Sequence, residues 1–140
     1  MTKEIDCRFC ALAPVNEILD SNEYAIALLD MYPISKFHTL IIPRRHTVNY
    51  FGLERHERES IHELLALQQK KIAEEDRSVA GFNIGWNCGE SAGQTVFHAH
   101  AHLIPRRKGD TANMQIKQKP APFTNPWHDN YKYIKTQTKE

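Results

Sequence analysis

The sequence contains no long apolar stretch, because its longest unbroken apolar run is the six residues 24–29. A helix needs about 20 apolar residues to cross a bilayer. The first six residues, 1–6, also lack the apolar segment of a secretory signal. These absences predict a chain with no membrane partner.

Cysteine is scarce, and its three occurrences are Cys7, Cys10 and Cys88. A small and odd number of cysteines cannot build the disulfide framework that small secreted domains depend on. We therefore expect a reducing, cytoplasmic setting.

Neither sign of charge is in excess, since 18 Lys and Arg face 17 Asp and Glu for a net charge of +1. Binding to a nucleic-acid backbone needs a clustered excess of basic side chains, so we expect no nucleic-acid partner. The charge is uneven along the chain, because residues 1–104 carry a net −4 and residues 105–140 a net +5.

The 140 residues, of which 41% are hydrophobic, suffice for one packed core. Strand-like patterns cover residues 24–30, 37–43, 82–86 and 96–104, whereas residues 54–78 place apolar side chains on one helical face. Strands outnumber helices and do not alternate with them. The order therefore predicts an α+β fold with an antiparallel sheet.

The end of the chain differs in composition, since four of the seven prolines lie from Pro105 onward among basic and polar residues. We therefore expect one domain over residues 1–110 and a loop-rich tail over residues 111–140, packed on that domain. Trp127 and Tyr131 are the side chains expected to hold the tail against it.

Histidine, in contrast, is abundant, with eight residues of which three fall within five positions. Side chains on a strand alternate between its two faces, so His98, His100 and His102 are predicted to project from one face. Ala99 and Ala101 would occupy the other face. Their small size would let the long helix pack closely there.

Three explanations of these histidines compete. A purely structural role is costly, because each buried polar ring must find a partner. A metal site is the second, since neutral imidazole suits zinc. In the third, one imidazole forms a covalent phosphoryl or nucleotidyl intermediate. The adjacent Gly93, Gln94 and Thr95 favour the third, because backbone N–H groups and neutral donors can hold an anion there.

The segment His98–Ile104 matches the pattern His-φ-His-φ-His-φ-φ at every position, where φ is apolar, and resembles the histidine-triad (HIT) family of nucleotide hydrolases and transferases. The resemblance extends to Ala92–Val96, to Asp30 and to Phe37–His46, and it covers about residues 5–110. It implies a HIT-like fold with a five-stranded antiparallel sheet and one long helix. It also implies a homodimer in which two such sheets join into one of ten strands.

By this resemblance, His100 is the nucleophile that attacks an α-phosphorus and forms a nucleotidyl-histidine intermediate, which water then hydrolyses. Its other ring nitrogen is expected to donate to a backbone carbonyl and so fix the tautomer. His102 is expected to hold a phosphate oxygen or to protonate the departing group, and His98 completes the catalytic triad. Gln94 and Thr95 are expected to bind phosphate oxygens.

The resemblance also implies a small-molecule nucleotide as the partner. Asn87 is expected near the phosphates, together with the loop residue Gly93. Asp30 is expected to take the ribose hydroxyls, Met31 to lie against the base, and His38 to support the triad from the adjacent strand. Without the resemblance, each of the two has a simpler interpretation: Asp30 as an acidic residue in a turn, and His38 as a partly buried histidine on a strand.

Cys7 and Cys10 form a single CxxC pair, which supplies two of the four ligands of a structural zinc site. A thioredoxin-like redox pair is the alternative, although no βαβ unit follows the pair. Some HIT proteins and the related galactose-1-phosphate uridylyltransferases combine such cysteines with two histidines, which here are His46 and His98. The resemblance thus implies a structural zinc that joins the N-terminal segment to the triad.

The residues that follow the triad, Pro105–Asp110, look more like the dinucleoside polyphosphate hydrolase branch of the family than the phosphoramidate-cleaving branch. Diadenosine tetraphosphate represents the favoured substrate class. Beyond Asp110 the chain lacks the Asn-Pro-x-Gly-Gly continuation of such hydrolases. A nucleoside phosphoramidate hydrolase, a nucleotide-binding regulatory module with little catalysis, and a metal enzyme that uses the three histidines remain alternatives.

Overall fold

A computed structural model describes residues 7–12 and 18–110. The predicted tail, with Trp127 and Tyr131, lies outside the described residues. The described part contains five strands, one long helix and three short 3-10 segments. These are β1 (Ile18–Ser21), β2 (Ala25–Leu29), β3 (Thr39–Pro43), α1 (Arg55–Glu75), β4 (Val79–Trp86) and β5 (Ala101–Arg107), with the 3-10 segments at Cys10–Leu12, Tyr50–Gly52 and Glu90–Ala92.

The five strands form one antiparallel sheet in the order β1-β2-β3-β5-β4. This confirms the predicted α+β class and the five-stranded antiparallel sheet with one long helix. Strand β1 is not among the strands predicted from the sequence. It is a short edge strand of mostly exposed side chains, and its register with β2 shifts between Ile18 and Asp20. Such a strand leaves little alternation of buried and exposed side chains in the sequence.

Helix α1 is held at its start by a capping box, in which the side chains of Glu54 and Glu57 each accept from the other residue's backbone N–H. The helix is shorter at its C-terminal end than predicted. Its apolar face is confirmed, because Ile61, Leu64 and Ile72 are buried. The helix therefore packs on the sheet along the stripe that the 3.6-residue period predicts.

The two faces of the sheet carry different clusters. The helix-side cluster contains Ile61 and Leu64 of α1 together with Ile41 and Ala101, so Ala101 packs with the helix as predicted. A second cluster lies on the other side, where Phe9 packs with apolar residues of β2 and β3. His102 is the partner of Leu40 in the sheet register, and its ring therefore belongs to this second face.

The strand predicted over residues 96–104 is wrong in its first half, because β5 begins at Ala101. The backbone of the preceding segment forms other hydrogen bonds: the N–H of Ala99 donates to the carbonyl of Thr47 at 2.7 Å. The His98 ring donates to the Pro43 carbonyl at the end of β3. Only His102 of the three histidines therefore lies on a strand, although the rings stay neighbours: Phe9 contacts both His98 and His100, and the His100 and His102 centroids are 5.0 Å apart.

Among the described residues, no helix is both long enough and apolar enough to span a bilayer.

Candidate functional site

A pocket opens on the side of the sheet that faces away from α1. The residues around His100 and His102 form its floor, and the turn after β2 and the loop between β4 and β5 form its sides. The site residues predicted from the sequence that line it are His38, His100, His102, Asp30, Asn87, Gly93 and Thr95.

His100 is oriented by its own backbone neighbourhood. Its Nδ1 donates to the carbonyl of His98 at 2.8 Å. A neutral imidazole carries one proton, so Nε2 keeps its lone pair. Burial, with 7% of the residue exposed, lowers the pKa of His100 and keeps the ring neutral. The ring therefore has the tautomer that a nucleophile requires.

His38 and His102 form a second oriented pair. The backbone N–H of Ile34 donates to His38 Nδ1 at 3.0 Å, so the neutral ring carries its proton on Nε2. That nitrogen lies 2.9 Å from His102 Nδ1 and donates to it. His102 in turn carries its own proton on Nε2, which makes that atom a donor. Burial lowers the pKa of His38 to about 4, although the charge of Asp30 opposes the shift.

Asp30 stands at the side of the pocket with a carboxylate that is already oriented. Its Oδ1 accepts from the backbone N–H of Tyr32 at 2.9 Å, and its Oδ2 lies 3.4 Å from His38 Nε2. Because the His38 ring is neutral, this approach is a polar contact and not an ion pair. A half-buried carboxylate of this kind can accept hydrogen bonds from hydroxyl groups.

Met31 lies outside the residues that line the pocket, and its place against a base stays a prediction. It is 67% exposed, and its sulfur lies 3.3 Å from the guanidinium of Arg8.

Gln94 differs from its expected role as a phosphate ligand. The side chain is buried, and its Nε2 donates to the carbonyls of Val48 at 2.6 Å and Val96 at 3.0 Å. Its Oε1 accepts from the N–H of Gly89 at 2.8 Å. The amide therefore organises the loop, while Thr95 beside it faces the pocket.

Cys7, Cys10, His46 and His98 converge into a second site, and their ligand atoms all lie within 4.8 Å of one another. The Nδ1 of His98 is 3.4 Å from the sulfur of Cys7 and 3.6 Å from that of Cys10. Cys10 is also 3.3 Å from His46 Nδ1. In a tetrahedral zinc site a sulfur and a nitrogen ligand stand about 3.6 Å apart, so the spacing fits a metal ion.

The protonation state of His98 also suits a metal ligand. Its Nε2 donates to the Pro43 carbonyl at 2.9 Å, which leaves the Nδ1 lone pair directed at the cysteines. A backbone carbonyl that holds the outer nitrogen of a histidine is the usual support of a metal ligand. Burial lowers the pKa of His98 to about 4, so the ring is neutral, as a ligand must be.

The orientations of the three triad histidines argue against a metal enzyme that uses all of them. Only His98 turns toward the cysteines, whereas His100 and His102 line the pocket with Nδ1 atoms engaged elsewhere. The three rings therefore do not converge on one metal position.

The model of the HIT domain family matches residues 15–109 of the chain. The chain belongs to the HIT family. A HIT-like protein of Mycoplasma pneumoniae is 36% identical over 104 residues, which cover 72% of each chain. The crystal structure of a HIT family protein from Bacillus anthracis superposes with a TM-score of 0.73 at 29% identity, covering 98% of this chain and 97% of that one. A zinc-bound histidine triad family protein from Mycobacterium smegmatis gives a TM-score of 0.62 at 27% identity, covering 96% and 98%.

Six residues that line the pocket of this HIT chain are not among the predicted site residues: Arg8, Phe9, Tyr32, Ile34, Leu40 and Val96. Arg8 and Phe9 lie between the two cysteines and line the pocket. The Phe9 ring meets the rings of His98 and His100 edge-on, at centroid distances of 5.8 Å and 5.3 Å. Their position inside the CxxC pair is the signal that could have placed them, because two metal ligands fix the residues between them.

Proposed function

We propose that this HIT protein is a nucleotide hydrolase or transferase that cleaves dinucleoside polyphosphates, such as diadenosine tetraphosphate, at the α-phosphate. The observation that carries the proposal is the hydrogen bond from His100 Nδ1 to the His98 carbonyl. It leaves Nε2 with its lone pair in a pocket that also contains the donor His102.

In the first half of the reaction, His100 Nε2 attacks the α-phosphorus. A P–N bond forms as the P–O bond to the leaving nucleoside polyphosphate breaks. His102 Nε2–H donates to a phosphate oxygen or to the departing oxygen. Thr95, Asn87 and the backbone around Gly93 bind the remaining phosphate oxygens as their charge develops.

In the second half, water attacks the phosphorus and the P–N bond to His100 breaks, which returns the lone pair to Nε2. The proton of the water passes to His102 if that ring has protonated the leaving group, and otherwise to the solvent. Asp30 accepts from the ribose hydroxyls throughout. Each turnover thus consumes one water and releases a nucleoside monophosphate.

The test is turnover of diadenosine tetraphosphate by the protein and by its His100→Ala variant. We expect the substitution to reduce kcat by at least about a thousandfold, because no other group replaces the nucleophile. His62→Ala, on the exposed side of α1, is the matched control and should keep wild-type activity. Full turnover by the His100→Ala variant would contradict the mechanism.

A nucleoside phosphoramidate is the second candidate substrate. An amine leaves only when it is protonated. The hydrogen bond from His38 Nε2–H to His102 Nδ1 keeps the proton of His102 on Nε2, and this N–H can donate to the departing amine. Adenosine phosphoramidate assayed beside diadenosine tetraphosphate distinguishes the two through the ratio of their kcat/KM values. Tight AMP binding with turnover of neither would instead identify a nucleotide-binding regulatory module.

We also propose that Cys7, Cys10, His46 and His98 hold a structural zinc ion. Four protein ligands complete a tetrahedral shell and leave no open position for substrate. When bound, the metal would supply a fixed link between the N-terminal segment and the backbone that orients His100. The proposal is supported by the spacing of the four ligand atoms.

We further propose that the protein is a cytoplasmic homodimer whose two sheets join into one of ten strands, with residues 1–110 as its domain and 111–140 as a tail on it. Strand β4 is an edge of the described sheet and exposes 47% of Ile84, which supports joining there. Light scattering should give twice the chain mass of 16.2 kDa, and the mass of a single chain would contradict the dimer.

A further inference from the structure

Arg8 is the charged pocket residue to which the proposed mechanism gives no role. Among the described residues that line the pocket, it is the one arginine, and no lysine accompanies it. The cysteines that hold its backbone, Cys7 and Cys10, belong to the cluster with metal-ligand spacing. The backbone of Arg8 is thus held between two residues of this cluster, while its long side chain is exposed.

The guanidinium and the His100 ring both neighbour the Phe9 ring. Its Cζ stands 5.2 Å from the centroid of the Phe9 ring, and the Phe9 centroid is 5.3 Å from that of His100. Its Nη2 contacts the sulfur of Met31 at 3.3 Å. Arg8 therefore lies beside the turn that carries Asp30 and Met31.

In the proposed function, which this inference deepens and on which it rests, Asp30 takes the ribose and His100 the α-phosphorus. A base attached to that ribose projects further along the same side. The guanidinium of Arg8 stands beside the turn that carries Asp30. Its contact with Met31 is easily given up, since a thioether is a weak acceptor.

The chemistry of a guanidinium discriminates between bases. It carries donors in a fixed fork and has no acceptor. Guanine presents two adjacent acceptors, O6 and N7, whereas adenine presents N7 beside an amino group that also donates. The fork therefore matches guanine at both positions and adenine at one.

We propose that Arg8 determines base specificity by donating to O6 and N7 of a guanine base. The preferred substrates are then guanosine-containing dinucleoside polyphosphates, and the adenosine compounds are the poorer members of the same class.

The experiment measures binding of GMP and AMP by calorimetry, together with kcat/KM for diguanosine and diadenosine tetraphosphate. We expect the protein to favour guanosine by roughly tenfold in both. Arg8→Gln offers one donor and one acceptor, which is the pattern that suits adenine, so the ratio should fall to about one or below. Arg8→Met, which offers neither, should abolish the preference. Arg55→Gln removes a charge from an exposed helix arginine and should leave the ratio unchanged.

The outcomes separate this inference from the proposed function. Equal loss of GMP and AMP binding in Arg8→Gln, or no guanosine preference in the unaltered protein, would overturn the role of Arg8 while hydrolysis could still support the mechanism. A guanosine preference that depends on Arg8, without hydrolysis of either substrate, would overturn the mechanism and support the role of Arg8. Zinc content measured in each variant shows whether the neighbouring cysteines are undisturbed.

Discussion

At the scale of single residues, the site is defined by which nitrogen of each histidine carries a proton. Two backbone groups decide this: the His98 carbonyl for His100, and the Ile34 N–H for His38 and through it for His102. Burial lowers the pKa of these rings, so all are neutral and each has a distinct donor and acceptor. The result is one imidazole that presents an acceptor nitrogen to the pocket and another that presents a donor.

Gln94 provides a residue-scale test of the loop. If its amide organises the loop, Gln94→Met leaves the Gly89 N–H and the Val48 carbonyl without their partner. We expect the free energy of unfolding to fall by roughly 1–3 kcal/mol, as measured by urea denaturation. Gln69→Met, at an exposed helix position, is the control. An unchanged free energy of unfolding with a raised substrate KM would instead support phosphate binding by Gln94.

At the scale of the elements, a helix or strand can be predicted from the sequence when its buried side chains recur at a regular spacing. Helix α1 was predictable because Ile61, Leu64 and Ile72 repeat on one face over many residues. Strand β1 was not, since a short and mostly exposed edge strand leaves no periodic signal.

The segment before β5 shows a different limit of sequence reasoning. Its alternating histidines have the sequence pattern of a strand. The His98 ring, however, donates a hydrogen bond to the Pro43 carbonyl and directs its other nitrogen at the cysteines. Of the predicted site, the residues His38, Asp30 and Thr95 reach the pocket. Gln94 and Met31 do not: local hydrogen bonding holds the Gln94 amide elsewhere, and the Met31 sulfur contacts Arg8.

The start of α1 gives an element-scale prediction through Glu57, which is 2% exposed and accepts twice from Arg45 at 2.8 Å. Burial raises the pKa of Glu57, but the hydrogen bonds from Arg45 and the Glu54 N–H outweigh it and lower the pKa below its usual 4.5. Glu57→Gln should reduce the free energy of unfolding at pH 7 by roughly 1–3 kcal/mol.

The pH dependence of that difference has a definite sign. A lowered pKa in the folded state means that the stabilisation is complete above pH 4.5, the usual pKa, and is lost as the pH falls through the lower folded value. The difference between the protein and Glu57→Gln should therefore shrink below about pH 4.5. Glu59→Gln, whose side chain is 66% exposed, should change stability little at either pH. A difference that grows in acid would contradict the account.

At the scale of the whole molecule, the four-ligand cluster ties three parts of the chain together. It joins the N-terminal segment at Cys7 and Cys10 to the end of β3 near His46 and to the segment before β5 at His98. Those same parts carry a pocket wall and the carbonyl that orients His100. A metal there would act on catalysis through position alone.

Metal analysis should find about one zinc per chain, lost in the Cys7→Ser and Cys10→Ser variants. Removal of the zinc with a strong chelator should lower the unfolding midpoint by roughly 5–10 °C. Cys88→Ser, outside the cluster, should keep both the metal and the midpoint. Full zinc content in the Cys7→Ser variant would disprove the ligand set.

The most direct measurement of the central claim is mass spectrometry of protein mixed with diadenosine tetraphosphate and quenched in alkali, where a P–N bond to histidine survives. The account predicts one adenylyl group per modified chain, located on the peptide that contains His100. The His102→Ala variant should keep this attachment site. Turnover that proceeds with His100 unmodified, or an adenylyl group on another residue, would contradict it.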